Sequence, residues 1–464
     1  MSNILDDKLK AALASREERW IRRRLPDPIP SSSASSSSSP STPILIDFNS
    51  NDYLSLSSSP RLRSHFLQKL SRAPDILGSG GSRLLVNGQA HHDLESRLSK
   101  FFNSPAALLF NSGFDANVGF FSCIPQQGDV VVYDEYVHAS VHDGVRASRV
   151  RKEDRVGFRH NCVESLRVVL GRVKHNWERH SGTRTKKNSV FIAVESLYSM
   201  DGTFAPLQEI VEVMEDVFPA GNIHLVVDEA HSTGIYGDKG KGRVAMLGLE
   251  EKVLARLHTF GKALAATGAV ILTSVLIRDY LLNYARSLIY TTSLNYANII
   301  AADASFDMLE DGTAEQAASK LLNLSLYLIQ QLQTRLSTFP ERLISLPHHL
   351  KSLPPLSRYS HPQLHSLPLS PIIPIMTSHP RPLSSYLLAL GMNARPITWP
   401  TVPKGKDRIR VCLHTGNTKE DLDRLVEGVV RWANEVLDAG EVEVGMVGGG
   451  RETGTGATLV ASKL

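Results

Sequence analysis

Five short runs, AALLF (106 to 110), VVVY (130 to 133), VFIAVES (190 to 196), IHLVVDEA (223 to 230) and AVILTS (269 to 274), are apolar almost throughout. A strand with one wet face alternates apolar and polar residues. Unbroken runs of this length instead point to strands covered on both faces, as in a parallel sheet between layers of helices. Stretches with helical spacing lie between some of them, PLQEIVEVMEDVF (206 to 218) among them, and the alternation predicts βαβ units. The fold class is therefore α/β. A large domain covers 61–300, and a smaller C-terminal α+β domain with different helix–strand spacing covers 301–439.

The flanking segments have another character. Residues 1–60 form an N-terminal helix and arm, with Ile4, Leu9, Leu13, Trp20 and Ile21 at helical spacing before Arg22-Arg23-Arg24-Leu25-Pro26. This pattern predicts an amphipathic helix stopped by proline. SSSASSSSSPSTP (31 to 43) buries no apolar surface and is expected to be a disordered insert. LPHHLKSLPPLSRYSHPQLHSLPLSP (346 to 371) reads as a long loop insert in the C-terminal domain, and the glycine-rich 440–464 as a flexible tail. That tail closes on Ser462-Lys463-Leu464, the tripeptide a peroxisomal import receptor reads, so a peroxisomal location is expected, otherwise a cytoplasmic one.

A net charge of +4, from 51 basic and 47 acidic residues, gives no reason to expect nucleic acid. No stretch approaches the ~18 apolar residues of a membrane span. The N-terminus mixes acids with bases and lacks an apolar core, unlike a secretory signal or a mitochondrial presequence. Cys123, Cys162 and Cys412 lie far apart and read as free thiols, and no metal-ligand set is seen.

Three motifs carry chemistry. HLVVDEAHSTG places Asp228 and His231 just after a buried strand, at the edge where open α/β sheets hold ligands, although a strand-end aspartate also serves as a helix cap or turn former. NSGFDAN (111 to 117) follows another strand and opens a helix whose free N–H groups suit an anion such as phosphate, or is plain turn chemistry. No GxxxxGK[ST] or GxGxxG accompanies it, which argues against a nucleoside triphosphate or dinucleotide. In HTFGKALAATGAV (258 to 270), Lys262 sits among small residues with no acid nearby. A strand-end carboxylate, a histidine, an anion site and a lysine in a small-residue turn are the parts that pyridoxal 5′-phosphate requires. The lysine forms a Schiff base, the carboxylate holds the pyridinium, and the anion site takes the phosphate. Burial and nearby cations would lower the lysine pKa and free its amine.

With these residues in hand, the chain resembles the α-oxoamine synthases. The likeness runs through SNDYLSL, GSGGSRLLVNGQAHHDLE, LLFNSGFDANVGF, VYDEYVHAS, VESLYSMDGTFAPL, VVDEAHSTGIYGDKGKGR, TFGKALAATGA, RSLIYTTSL and RPITWPTVPKGKDRIRVCLHTGNT. The resemblance implies the PLP-dependent transferase fold type I, with a mainly parallel seven-stranded sheet. It implies that Lys262 is the Schiff-base lysine and acts as base, that Asp228 pairs with the pyridine nitrogen, and that His138 stacks on the ring. The alternative for His138 is a packed core histidine. By the same resemblance His231 and Ser199 meet the phenolic oxygen, Gly113, Phe114 and Thr259 lie near the phosphate, Arg410 clamps the amino-acid carboxylate, and Thr401 contacts substrate. It also implies a homodimer with shared sites, in which Thr291 and Thr292 reach the neighbour's phosphate. Two positions depart from the family pattern: Ser55 replaces a glycine after NDYL, and KALAATGA replaces Lys-Ala-Phe-Gly. Both read as packing variations.

Members of the family join an amino acid to an acyl-CoA with loss of carbon dioxide. Three features favour the member that condenses L-alanine with pimeloyl-CoA: WIRRRLP, where Arg22 matches a substrate-contacting arginine; PTVPKGKDRIR; and the terminal Ser-Lys-Leu. Arg22 could equally be a solvated basic helix end. The alternatives are glycine with acetyl-CoA or another member's pair, an aminotransferase on the same fold, and an inactive partner subunit.

Overall fold

The computed structural model describes residues 3–19, 21–25, 45–179, 188–353 and 369–440. Trp20, Pro26, the serine-rich insert 31–43, residues 354–368 of the second insert and the tail with Ser462-Lys463-Leu464 lie outside the described residues.

Among the described residues the strands are, in chain order, β1 (Ile46–Asp47), β2 (Ala106–Phe110), β3 (Val130–Asp134), β4 (Arg155–Phe158), β5 (Val190–Glu195), β6 (Ile223–Asp228), β7 (Val253–Thr259), β8 (Ala269–Thr273), β9 (Ile344–Ser345), β10 (Ile372–Thr377), β11 (Met392–Asn393), β12 (Arg395–Ile397) and β13 (Arg408–Cys412). Seven form one sheet in the order β2-β8-β7-β6-β5-β3-β4. The five central and outer strands from β7 to β4 run parallel, whereas β8 is antiparallel to both β2 and β7. The α/β fold class with a mainly parallel seven-stranded sheet is thus what the chain adopts. The run AVILTS, read as a parallel strand, is the exception. Its burial on both faces comes from its place inside the sheet, which an antiparallel strand shares. Two sheet strands escaped the sequence reading because both carry charge or polarity: RVGF (155 to 158), and VLARLHT (253 to 259) with Arg256 and His258.

The helix Leu207–Val217 shows why such stretches lie on the sheet. Leu207, Ile210, Val211 and Met214 fall on one face and are all buried. Each such side chain contributes roughly 1.5–3 kcal/mol when removed from water. The N-terminal helix Ile4–Glu18 differs from expectation. It ends well before the proline, where the Arg19 side chain donates to the Ser15 carbonyl (3.0 Å) and satisfies the last turn. None of its residues is buried, and Ile4, Leu5, Leu9 and Leu13 face solvent.

The C-terminal part holds a four-stranded antiparallel sheet, β12-β13-β10-β9, on which the helix Pro380–Ala389 packs, and the helix Lys419–Asp438 packs in turn on that helix and on Thr313–Leu336. The helix Lys419–Asp438 opens on a reciprocal cap between Thr418 and Asp421. Residues 300 and 301 both lie in the helix Tyr296–Glu310, which packs on the helices Pro60–Arg72 and Gln89–Phe101. At the other end of the chain β1 pairs in parallel with β11, so the N-terminal arm is fastened to the C-terminal part.

Candidate active site

The turn around Lys262 joins β7 to its antiparallel neighbour β8. Phe260 N–H donates to the Gly268 carbonyl (2.9 Å), Ala266 N–H to that of Phe260 (2.9 Å) and Ala265 N–H to that of Lys262 (3.0 Å). The small residues now have a reason. Gly268 has φ +110°, and a Cβ there would lie 2.7 Å from Leu294 Cδ1. Ala263 and Leu264 are buried beneath the turn, leaving Lys262 partly buried and directed to the carboxyl edge of the sheet.

Three acidic residues end strands at that edge: Asp134 on β3, Glu195 on β5 and Asp228 on β6. Asp228 accepts from the Ala230 N–H (2.9 Å) and from Asn117 Nδ2 (2.8 Å). Asn117 also donates to Ser140 Oγ (3.0 Å), whose hydroxyl lies 2.7 Å from His138 Nδ1. Since the Ser140 N–H also points at Nδ1 (3.2 Å), the hydrogen-bond network assigns the His138 proton to Nε2. His138 caps the helix Ala139–Ala147 and is exposed, which excludes the packed-core alternative, and its ring meets Phe114 edge-on at 6.3 Å.

A second chain of contacts reaches the site from the N-terminal segment. His231 Nδ1 lies 2.7 Å from the Tyr53 hydroxyl, which donates to Asn51 Oδ1 (3.1 Å). Arg410 Nη2 donates to the same Asn51 oxygen (2.9 Å), and its Nε to the Ser199 carbonyl (2.5 Å). Burial, and after it the charges of Lys262, Arg410 and His138, hold the His231 pKa well below the usual imidazole value, so this ring is neutral. Burial likewise pushes the Lys262 ammonium down, and Arg410 adds to that, against the opposing pull of Asp228 and Glu195. The lysine amine is the more available for it.

The helix Gly113–Cys123 starts beside β7. Its cap is Ser112, whose hydroxyl takes the Asp115 N–H (3.1 Å) and leaves the N–H groups of Gly113 and Phe114 at the mouth of the helix. A Cβ on Gly113 would lie 3.5 Å from Thr259 Cβ and 3.6 Å from its hydroxyl, so the glycine keeps open a cradle between helix start and threonine. Thr291 and Thr292 stand nearby in the same chain, bound by Asn111 Nδ2 through the Thr291 hydroxyl (3.3 Å) and the Thr292 carbonyl (2.7 Å).

Arg22 is not in this cluster. It lies with Thr401 in a cleft of about 220 Å³ that Arg16, Arg23, Arg381 and Trp399 also line, and it pairs with Glu17 (3.3 Å). Thr401 links this cleft to a small cavity bounded by Tyr136, Tyr198 and Ser199. A cavity of about 1090 Å³ lies away from all these groups, against Pro105, His224, Val253 and Thr273.

The sequence reading missed Asn51, Tyr53, Asn117, Ser140 and Glu195 as site residues. All five were inside quoted motifs, and Glu195 ends an apolar run just as Asp228 does. At both departures from the family pattern the backbone conformation is decisive. Ser55 has φ 51° and Ala265 has φ 50°, so both sit in left-handed backbone where glycine is at ease, and they are backbone substitutions, not packing variations. Ser55 offsets part of its cost by accepting the Gly416 N–H (2.8 Å).

Residues 43–429 match the profile of aminotransferase class I and II. The chain belongs to that family. Its relatives narrow the branch to the α-oxoamine synthases. The chain is 44% identical over 432 residues to an 8-amino-7-oxononanoate synthase of Emericella nidulans, covering 92% of this chain and 96% of the relative. It is 37% identical to the aminoacyl transferase sphA of Aspergillus fumigatus, over 85% of this chain and 82% of that one. In fold it matches a serine palmitoyltransferase from S. paucimobilis, solved with bound PLP and myriocin, at TM-score 0.73 and 22% identity over 94% of this chain and 100% of the other.

This α-oxoamine synthase uses pyridoxal 5′-phosphate, and the residues present fit it. Lys262 offers the amine, and Asp228 a carboxylate already fixed by two donors and still able to accept a third from a ring nitrogen. The cradle of Gly113, Phe114 and Thr259 offers N–H and hydroxyl donors to a phosphate. The exposed ring of His138 and neutral His231 would lie over the ring face and near its phenolic oxygen.

Proposed function

We propose that this pyridoxal-phosphate-dependent acyltransferase condenses L-alanine with pimeloyl-CoA, giving 8-amino-7-oxononanoate, CoA and carbon dioxide in biotin biosynthesis. The observation that carries the reading is the meeting of Lys262, with its lowered pKa, and Asp228 with the Arg410–Asn51 pair at one buried edge. Identity of 44% to a synthase of that name, across nearly both whole chains, supports the choice of substrates.

When bound, pyridoxal phosphate supplies an electron sink that accepts the charge left as the amino acid loses its Cα proton. Arg410 binds the alanine carboxylate with its guanidinium, already oriented by Asn51 and the Ser199 carbonyl. Lys262 takes the Cα proton on Nζ and later returns a proton to the same carbon once carbon dioxide has left. Asp228 holds the proton on the ring nitrogen. Neutral His231 offers an N–H or a lone pair without adding charge. Arg22 and Thr401 receive the acyl-CoA from the basic cleft.

The test is release of free thiol and carbon dioxide from pimeloyl-CoA with L-alanine, set beside acetyl-, succinyl- and palmitoyl-CoA with glycine and serine. Lys262→Ala is expected to lower the rate by 10²-fold or more. A faster reaction with another pair would move the chain to a different member of the family.

The same reading includes a homodimer. Leu77, Leu85 and Tyr290 are 75%, 80% and 72% exposed, and the 77–81 segment is bonded to Ser293 and Tyr296 just after Thr291 and Thr292, a surface suited to a second copy. In such a pair Thr291 and Thr292 would contribute to the partner's phosphate site. Sedimentation at micromolar concentration checks the pairing. Import would run through Ser462-Lys463-Leu464 to the peroxisome, tested by fusing residues 440–464 to a reporter with and without the tripeptide.

A further inference from the structure

Glu195 and Asp228 are register partners on the neighbouring parallel strands β5 and β6. Adjacent strands lie about 4.8 Å apart, and register partners turn their side chains to the same face. Both residues are buried, at 4% and 8% exposure. Two carboxylates so close, and away from water, do not both hold a charge unless cations match them.

The surroundings divide the pair. Asp228 receives two N–H donors, from Asn117 and Ala230. The Glu195 carboxyl takes a backbone N–H from His138. The charged and titratable groups about Glu195 come from each element packed on it: Asp228 from β6, Asp134 from β3, His138 at the head of the helix Ala139–Ala147, Tyr198 just beyond β5 and Lys262 from the turn after β7. Of these only Lys262 and His138 can be positive; His138 is exposed to water, and the Lys262 amine is the group that joins the cofactor aldehyde.

We propose that Glu195 is a positioning residue that remains a neutral carboxylic acid, so that Asp228 alone presents negative charge to the pyridine nitrogen. This rests on the reading that the pocket takes pyridoxal phosphate. Burial and then the charge of Asp228 push the Glu195 carboxyl well above the ordinary range, against Lys262 and the His138 N–H. Neutrality has a consequence for the base. A second anion beside Lys262 would hold the ammonium in its charged form and remove the lone pair that accepts the Cα proton. Paired acids driven apart by their environments are a recurrent way to give one carboxyl a hydrogen-bonding role and the other a charge.

The experiment uses the full chain loaded with pyridoxal phosphate, and no substrate. Wild-type minus Glu195→Gln infrared difference spectra are taken at pH 7 and 8 in light and heavy water. The expected result is a protonated-carboxyl carbonyl band, shifted by deuterium and absent from the variant. Glu195→Gln keeps the neutral shape and is expected to hold the cofactor within about threefold of wild type, while Asp228→Asn loses about tenfold or more. A carboxylate band assigned to position 195, or a loss of about tenfold or more in Glu195→Gln, would overturn the proposal. If the variant does not fold, infrared titration of wild-type protein carrying carbon-13-labelled glutamate asks the same question. Because alanine and pimeloyl-CoA take no part, failure here leaves the substrate reading standing, and failure of that reading leaves this result standing.

Discussion

Tyr53→Phe isolates the chain of hydrogen bonds that joins the amino-acid clamp to His231. The substitution removes one oxygen and leaves the ring, which is fully buried, so no cavity of consequence opens. It deletes the contacts to His231 Nδ1 (2.7 Å) and Asn51 (3.1 Å) and strands a donor on His231, itself 5% exposed. Two lost bonds and one unsatisfied buried group cost about 2 kcal/mol, within a range of roughly 1–3. At about 2.1 cal/mol/K per residue over 464 residues, that lowers the melting temperature by about 2 °C. Asn51 also loses one of the two groups that fix it, so Arg410 is held less firmly and alanine is expected to bind about tenfold more weakly. The phenol of Tyr53 is pushed well above its usual pKa by burial, so it remains a donor throughout the working range. Alanine titrations followed by cofactor absorbance, together with thermal melts, read both effects. An alanine half-saturation within twofold of wild type and an unmoved melting curve would refute the reasoning.

Other outcomes follow from single features. Ala265→Gly relieves a left-handed residue (φ 50°), a strain of about 1–2 kcal/mol against about 0.5–1 for the added freedom of glycine, so the variant melts higher by a fraction of a degree to 1 °C. His231 and His258 are both buried with pKa values held well below the ordinary one, so they resist protons that the unfolded chain accepts below pH ~6.5. Stability is therefore full above that pH and falls as pH drops, by up to about 1.4 kcal/mol per unit for each, and His258→Phe should flatten the slope in denaturant melts. Arg22→Ala is expected to raise the KM for pimeloyl-CoA about tenfold while leaving alanine saturation unchanged, because the Arg22 cleft and the Arg410 clamp are separate.

The parallel core was legible because burial on both faces writes itself as unbroken apolar runs, and VVVY and VFIAVES became strands β3 and β5. The antiparallel turn of β8 was not, since strand direction leaves no mark on a run that neighbours cover on both sides. Lys262 and Asp228 stood out through local anomalies: a cation among small residues and an acid after an apolar run. Tyr53 and Asn117 could not be assigned in the same way. Their importance arises from contacts to residues 178 and 111 positions away, and an isolated tyrosine or asparagine carries no sign of its distant partner. Ser55 and Ala265 show a further limit, because a left-handed backbone is visible in sequence only when glycine occupies it.

Asn51 and Arg410 stand 359 residues apart, yet the side-chain oxygen of the first accepts from the guanidinium of the second, and β1 meets β11 across a similar gap. On a ribosome moving at about 5–20 residues per second, Asn51 emerges roughly 20–70 s before its guanidinium partner exists. The lysine and all three strand-end acids are out well before then. The proposed grip on the amino acid is thus the last piece of the pocket to be synthesised, and a nascent chain able to hold the cofactor would still lack it.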